Sequence, residues 1–170
     1  MTGHPAKGLY HPSFERDSCG FGLIANLDNQ PSHWLVETAI AALMRLTHRG
    51  AIAADGKTGD GCGLLMQKPD SFFRAIAKEL NYDLAERYAV GVVFLSTDDT
   101  KARAAQQVVD EKLSRQGLQV LGWRDIPVDP QSACGEEAMR SLPTMRHVFI
   151  NAAPDMDDAA FERNLYIARR

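Results

Sequence analysis

Cys19 opens the run Cys19-Gly20-Phe21-Gly22-Leu23-Ile24-Ala25, behind 18 polar, turn-rich residues that include Pro5 and Pro12. A thiol at the head of a strand is a natural nucleophile, and one at a chain's own N-terminus carries a base with it. Cleavage between Ser18 and Cys19 would free an α-amine of pKa about 7.7–8.0, able to take the thiol proton directly or through one water. The plainer reading is a free cysteine packed as a small buried hydrophobe, the usual fate of such a residue.

Other patterns offer chemistry and a plainer reading side by side. Alternating glycines in Thr58-Gly59-Asp60-Gly61-Cys62-Gly63 would let the backbone approach a ligand or another segment closely. They equally make a tight strand-entry turn. Arg49, in His48-Arg49-Gly50, has the planar fork that matches a ligand carboxylate, yet a cation also suits a helix C-terminus. Gly20-x-Gly22-x-x-Ala25 has dinucleotide-fingerprint spacing, but its glycines precede a strand instead of opening a helix. Gly56-Lys57-Thr58 resembles the end of a P-loop, but position 51, where the first glycine belongs, is Ala51. Both nucleotide readings fail. No Cys-x-x-Cys pair and no histidine pair at helical spacing marks a metal site.

The elements that must position these residues follow from periodicity and punctuation. Gly20–Asp28 reads as a strand, and Asp28-Asn29-Gln30-Pro31 as a turn. Ser32 is placed to cap a helix striped by Leu35, Ala39, Leu43 and Leu46. Cys62–Gln67 reads as a second strand, so strand, helix, loop and strand would bring Cys19 near the glycine loop. A helix from Pro69 to about Leu80 precedes Tyr88–Leu95, whose unbroken apolar run fits a strand covered on both faces. Asp98 and Asp99 start a helix with Ala102, Ala105, Val109 and Leu113 on one side, ended by Gly117. Leu118–Ile126 is a strand, Ala133–Leu142 a short helix and Arg146–Ala152 a further strand. A final helix begins at Asp155, Asp157 and Asp158 and carries Phe161, Leu165 and Ala168. No glycine stop follows it, so the sequence reads as cut within its last element.

Composition bounds the rest. At 170 residues and 45% hydrophobic, the chain can build one ordinary core. A net charge of −3, with 19 scattered basic residues, argues against a nucleic-acid partner. No apolar stretch nears the roughly 20 residues of a membrane span, and residues 1–18 lack the apolar centre of a secretory signal. Cys19, Cys62 and Cys134, odd in number and far apart, suit reduced thiols and a cytoplasmic location.

Together the blocks are more specific than any one alone. Gly8-Leu9-Tyr10-x-Pro12-x-x-Glu15-x-Asp17-x-Cys19-Gly20-x-Gly22 closely resembles the precursor start of glutamate synthase large subunits. So do Leu46-Thr47-His48-Arg49-Gly50-Ala51 and Asp55-x-x-Thr58-Gly59-Asp60-Gly61-x-Gly63, in the same order. The resemblance implies an α+β fold, the N-terminal-nucleophile hydrolase αββα sandwich, present here only in part. It implies a propeptide-like arm at 1–18, cleaved between Ser18 and Cys19, and at 19–170 the first part of a class II glutamine amidotransferase domain.

By that resemblance Cys19 is nucleophile and, once cleaved, α-amine base. Arg49 and Gly50 help shape the glutamine pocket, and Thr58, Gly59, Asp60 and Gly61 form a supporting loop. Cys62 stands where the family pattern suggests alanine. L-glutamine is hydrolysed to supply ammonia for reductive formation of glutamate from 2-oxoglutarate. FMN and an iron–sulfur cluster are expected in the full-length subunit, none in this segment. Partners would be the downstream synthase domains and a small electron-donating subunit, with no membrane. The family's oxyanion-hole Asn-Gly pair and carboxylate-gripping arginine have no counterpart here, so the segment alone is expected to be inactive. The alternatives are another N-terminal-cysteine amidotransferase or amide hydrolase, and a non-catalytic truncated binding module.

Overall fold

The computed structural model describes residues 21–46, 52–59 and 61–170. The chain divides into two compact units, one up to Met66 and one spanning Gln67–Arg170. In the first, helix α1 (His33–Met44) forms on the expected stripe. Leu35, Ala39, Leu43 and Leu46 are half-buried, and none is fully so. Ser32 takes the N-cap position in an extended conformation, but its side chain makes no capping bond. The two expected strands are absent: 21–26 and 61–69 are extended or irregular without a ladder. An apolar run predicts burial, but a strand also needs a partner edge, and neither segment has one among the described residues.

The second unit begins with α2 (Asp70–Glu79), followed by β1 (Tyr88–Leu95), α3 (Asp99–Arg115) and β2 (Gln119–Asp125). Two short helices follow, α4 (Pro130–Ala133) and α5 (Glu136–Arg140), then β3 (Thr144–Asn151) and α6 (Asp158–Ala168). The single helix expected over 133–142 is therefore two, parted at Cys134, whose extended backbone ends α4. Three strands form one antiparallel sheet in the order β1-β3-β2. β1 and β2 are parallel to each other with β3 running between them, the split β-α-β arrangement.

Helix ends are fixed by specific chemistry. The Asp98 carboxylate accepts from the N–H groups of Thr100 at 2.9 Å and Lys101 at 3.1 Å, satisfying donors that open α3. At the other end the N–H of Gly117 donates to Ser114 and that of Leu118 to Leu113. This Schellman closure places Gly117 at φ +70°. Asn81, at φ +57°, closes α2 in the same way, with Tyr82 N–H donating to the Ala77 carbonyl. Asp157 caps α6 by accepting from Ala160 N–H at 2.7 Å.

Successive residues of β3 feed two clusters on opposite faces. Val148 and Ile150 pack with Leu113 of α3 and Phe161 of α6. Phe149 packs with Ile76 and Ala77 of α2. The packed face of α3 runs Ala102, Gln106, Val109, Leu113; Ala105, expected on it, is exposed. Gln106 instead accepts from Arg146 at 2.8 Å. α2 covers only one end of its sheet face, so Val92 is 52% and Phe94 66% exposed, and β1 is not sheathed on both sides. β2 carries a bulge between Val120 and Gly122. A Cβ on Gly122 would overlap the Tyr82 ring, whose hydroxyl donates to the Trp123 carbonyl at 3.1 Å.

β3 also carries two buried polar side chains, His147 and Asn151. Asn151 accepts from Ala85 N–H at 3.0 Å and donates to the Asp83 carbonyl at 2.9 Å, pinning the α2–β1 connection. Asn151→Ala leaves both backbone groups short of a partner, so a loss of about 1–3 kcal/mol is expected in urea unfolding.

His147 lies edge-on to Phe73 at 5.6 Å and to Phe149 at 6.2 Å, with an Arg124 guanidinium nitrogen 3.4 Å from Nδ1. Burial first, and the Arg124 charge second, push its pKa below the ordinary value. The unfolded chain therefore binds a proton that the folded one resists. Stability from this group is complete above about pH 6.5 and falls as pH drops through and below that value. His147→Gln should flatten the dependence of unfolding free energy on pH between about 7 and 5. An unchanged slope would refute the assignment.

Candidate active site

The glycine loop is the part of the predicted site that the described residues contain. Ile52 and Gly59 form an antiparallel bridge, and the N–H of Ala53 donates to the Thr58 carbonyl at 2.7 Å. Between them the chain reverses through Gly56, at φ +71°, where a side chain would be strained. Asp55 holds the reversal from inside. One carboxylate oxygen accepts from the N–H groups of Lys57 at 2.9 Å and Thr58 at 2.8 Å, and the other from the Thr58 hydroxyl at 2.5 Å. The sequence motif contains Asp55 but assigns it no role. The signal was there: an aspartate followed by Gly-Lys-Thr is an Asx-turn composition.

Beyond the bridge, Gly61 has φ +101° and Gly63 has open space where a Cβ would stand. Cys62 is exposed with a free thiol. Thr58 and Gly59 thus lie on one ordered reversal, and Gly61 follows beyond it. Ser18, Cys19, Arg49, Gly50 and Asp60 lie outside the described residues.

A second polar cluster ties α2 to the start of β1, and no sequence motif announced it. Lys68 Nζ donates to the Tyr88 carbonyl at 3.0 Å and sits 3.6 Å from that ring's centre. The Tyr88 hydroxyl donates to Asp70 at 2.7 Å, and Asp70 also accepts from Arg74 at 2.9 Å. Burial, then the Asp70 bond, raises the Tyr88 hydroxyl to about 12. Burial lowers Lys68 despite the nearby Asp70 charge. An open cavity of about 390 Å³ lies beside this cluster, lined by Lys68, Glu86, Arg87, Tyr88 and three residues of α6. Arg87 is bonded across it to Asp158 and to the Met156 carbonyl. Among the described residues no three histidine, cysteine or acidic side chains converge as metal ligands, and no helix is long and apolar enough to cross a membrane.

Residues 19–170 match the family described as glutamine amidotransferases class-II. The chain belongs to that family. The class II amidotransferase match starts at Cys19 and leaves residues 1–18 outside. The chain is 42% identical over 166 residues to the glutamate synthase [NADPH] large chain of Bacillus subtilis, with 97% of this chain and 11% of that protein covered. It is 42% identical over 158 residues to ferredoxin-dependent glutamate synthase 1 of Arabidopsis thaliana, covering 92% and 10%. Against the glutamate synthase [NADH] of Saccharomyces cerevisiae it is 34% identical over 176 residues, covering 96% and 8%. This amidotransferase chain spans about a tenth of the length of those relatives.

Proposed function

We propose that the chain is the amino-terminal part of the glutaminase of a glutamate synthase, with Cys19 as its nucleophile. One observation carries the reading: the family match begins at Cys19, the residue that chemistry would require at a mature N-terminus. The naming of the relatives as glutamate synthases supports the choice of this reaction over other amide hydrolyses. Residues 1–18 then form a propeptide, and 19–170 the first part of an N-terminal-nucleophile sandwich, working in the cytoplasm.

The chemistry is compact. The α-amine of Cys19 takes the thiol proton, and the thiolate attacks the side-chain amide carbon of L-glutamine. The carbon–nitrogen bond breaks, and ammonia leaves with that proton. Water, deprotonated by the same amine, then attacks the glutamyl thioester, releasing glutamate and restoring the thiol. Arg49 and Gly50 line the glutamine pocket. Thr58, Gly59, Asp60 and Gly61 hold an adjoining loop, set by the Asp55 bonds.

An iron–sulfur cluster needs several thiolates. The described residues offer Cys62 and Cys134, each in a different unit. They do not fit a cluster, which is therefore assigned to other domains of the parent synthase; the reading places FMN there as well. Those domains, a small electron-donating subunit and 2-oxoglutarate are its further partners. Intact mass and N-terminal sequencing of the protein made from the full-length gene test the reading. A species starting at Cys19 is expected; a mature protein starting at Met1 removes the amine base and the mechanism with it.

A further inference from the structure

β1 is an edge strand of a kind that folded proteins seldom leave open. Its eight residues, Tyr88–Leu95, carry no charge and no proline, and pair with β3 in unbroken register. The opposite edge, β2, is by contrast interrupted by its bulge. The N–H of Ala152 donates to the Arg87 carbonyl, which sets the phase of the β1–β3 ladder. Backbone groups of alternate residues then point away from β3: those of Tyr88, Val90, Val92 and Phe94. Lys68 takes the Tyr88 carbonyl from that outer side. Among the described residues nothing pairs with the other three.

Topology says where a missing strand would come from. β1 crosses through α3 to β2, landing beyond β3, and such crossovers are almost always right-handed. α6 lies on the same sheet face as α3, sharing its cluster of Leu113, Val148 and Phe161. β3, however, runs opposite to β1. A right-handed crossover from β3 through α6 therefore moves the other way across the sheet and lands outside β1. The elements β1, α3, β2, β3 and α6 are five parts of a β-α-β-β-α-β unit, with the short α4 and α5 inserted in one connection.

The geometry points to a fourth strand, supplied by the same polypeptide directly after α6, lying antiparallel to β1 and closing that edge. The tenfold greater length of the glutamate synthase relatives leaves chain to provide it. A second copy of this chain is the competing occupant, but it would leave the crossover begun by α6 without a landing strand.

The test uses the full-length polypeptide, and neither readout depends on glutamine hydrolysis. Residue-resolved hydrogen exchange should find the amides of Val90, Val92 and Phe94 slowed by roughly a hundredfold or more, as in an interior strand. With p-benzoylphenylalanine in place of Phe94, irradiation should give an adduct within the first turn-and-strand after Arg170, on the order of 15 residues. Open-edge exchange rates at those three amides would overturn the inference. So would protection without an adduct on that segment, an adduct to a second copy or to a distant segment, or a native polypeptide that ends at Arg170.

Discussion

Replacing Cys19 by alanine in the mature polypeptide should lower glutamine hydrolysis by roughly 10⁴-fold or more, the scale seen when a covalent nucleophile is deleted. The size follows from the division of labour at one residue. On the proposed mechanism Cys19 would supply the attacking sulfur and its own amine the base, so no neighbour would take over when the sulfur is gone. Ammonia release and glutamate formation from glutamine should fall together. In the proposed parent synthase, glutamate formation from added ammonium should survive in the same variant, because on that reading the nucleophile serves only to liberate ammonia. Cys19→Ser separates packing from chemistry: a hydroxyl nearly fills the thiol's place but is a far weaker nucleophile near neutral pH. Near-normal hydrolysis by the alanine variant would end the proposal, whatever the N-terminal sequence.

Phe149→Ala should be the most damaging single change to the Gln67–Arg170 unit. Phe149 is 0% exposed and touches three rings: Tyr82 at 5.5 Å, His147 at 6.2 Å and Phe73 at 6.3 Å between centres. Truncation loses the burial and leaves a cavity, costing about 3–5 kcal/mol. Few domains of this size hold more than about 5–15 kcal/mol in all. A fall in Tm on the order of 15 °C, read by circular dichroism, is the expected result. Phe149→Leu keeps most of the volume and should cost less than about 1.5 kcal/mol. Equal losses in the two variants would show that the ring edges, and not the filled space, carry the stability.

How far the sequence could be read depended on where each signal lay. Tyr88–Leu95 was legible to the residue because Ser, Thr and Asp follow it and a polar turn precedes it. α3 was legible at both ends through Asp98 and Gly117. Its inner face departs from the apolar pattern at one position: Ala105 is apolar and Gln106 is not, yet Gln106 faces Arg146. The expected strands at 20–28 and 62–67 have the composition without a ladder among the described residues; pairing is a property of the sheet and is not written in either segment. At the site, Asp55 was visible as part of a motif, while its role required the three bonds it accepts. The Lys68–Tyr88–Asp70 cluster joins residues 20 positions apart and leaves no local pattern to find.

The five consecutive buried residues His147–Asn151 make β3 intolerant of frame errors. Odd positions there serve one face and even positions the other, and the two demands differ: two rings and a carboxamide on one side, aliphatic side chains on the other. Adding or deleting one residue inside that pentad would swap the lists wholesale, sending Asn151 into the aliphatic layer and stripping Asp83 and Ala85 of their bonds. The same length change at 127–129, on the exposed approach to α4 and beyond the bond from Ile126 N–H to the Met145 carbonyl, would alter no pairing of β3. Length variants of this unit in nature or in the laboratory should therefore collect in that approach and spare the central strand.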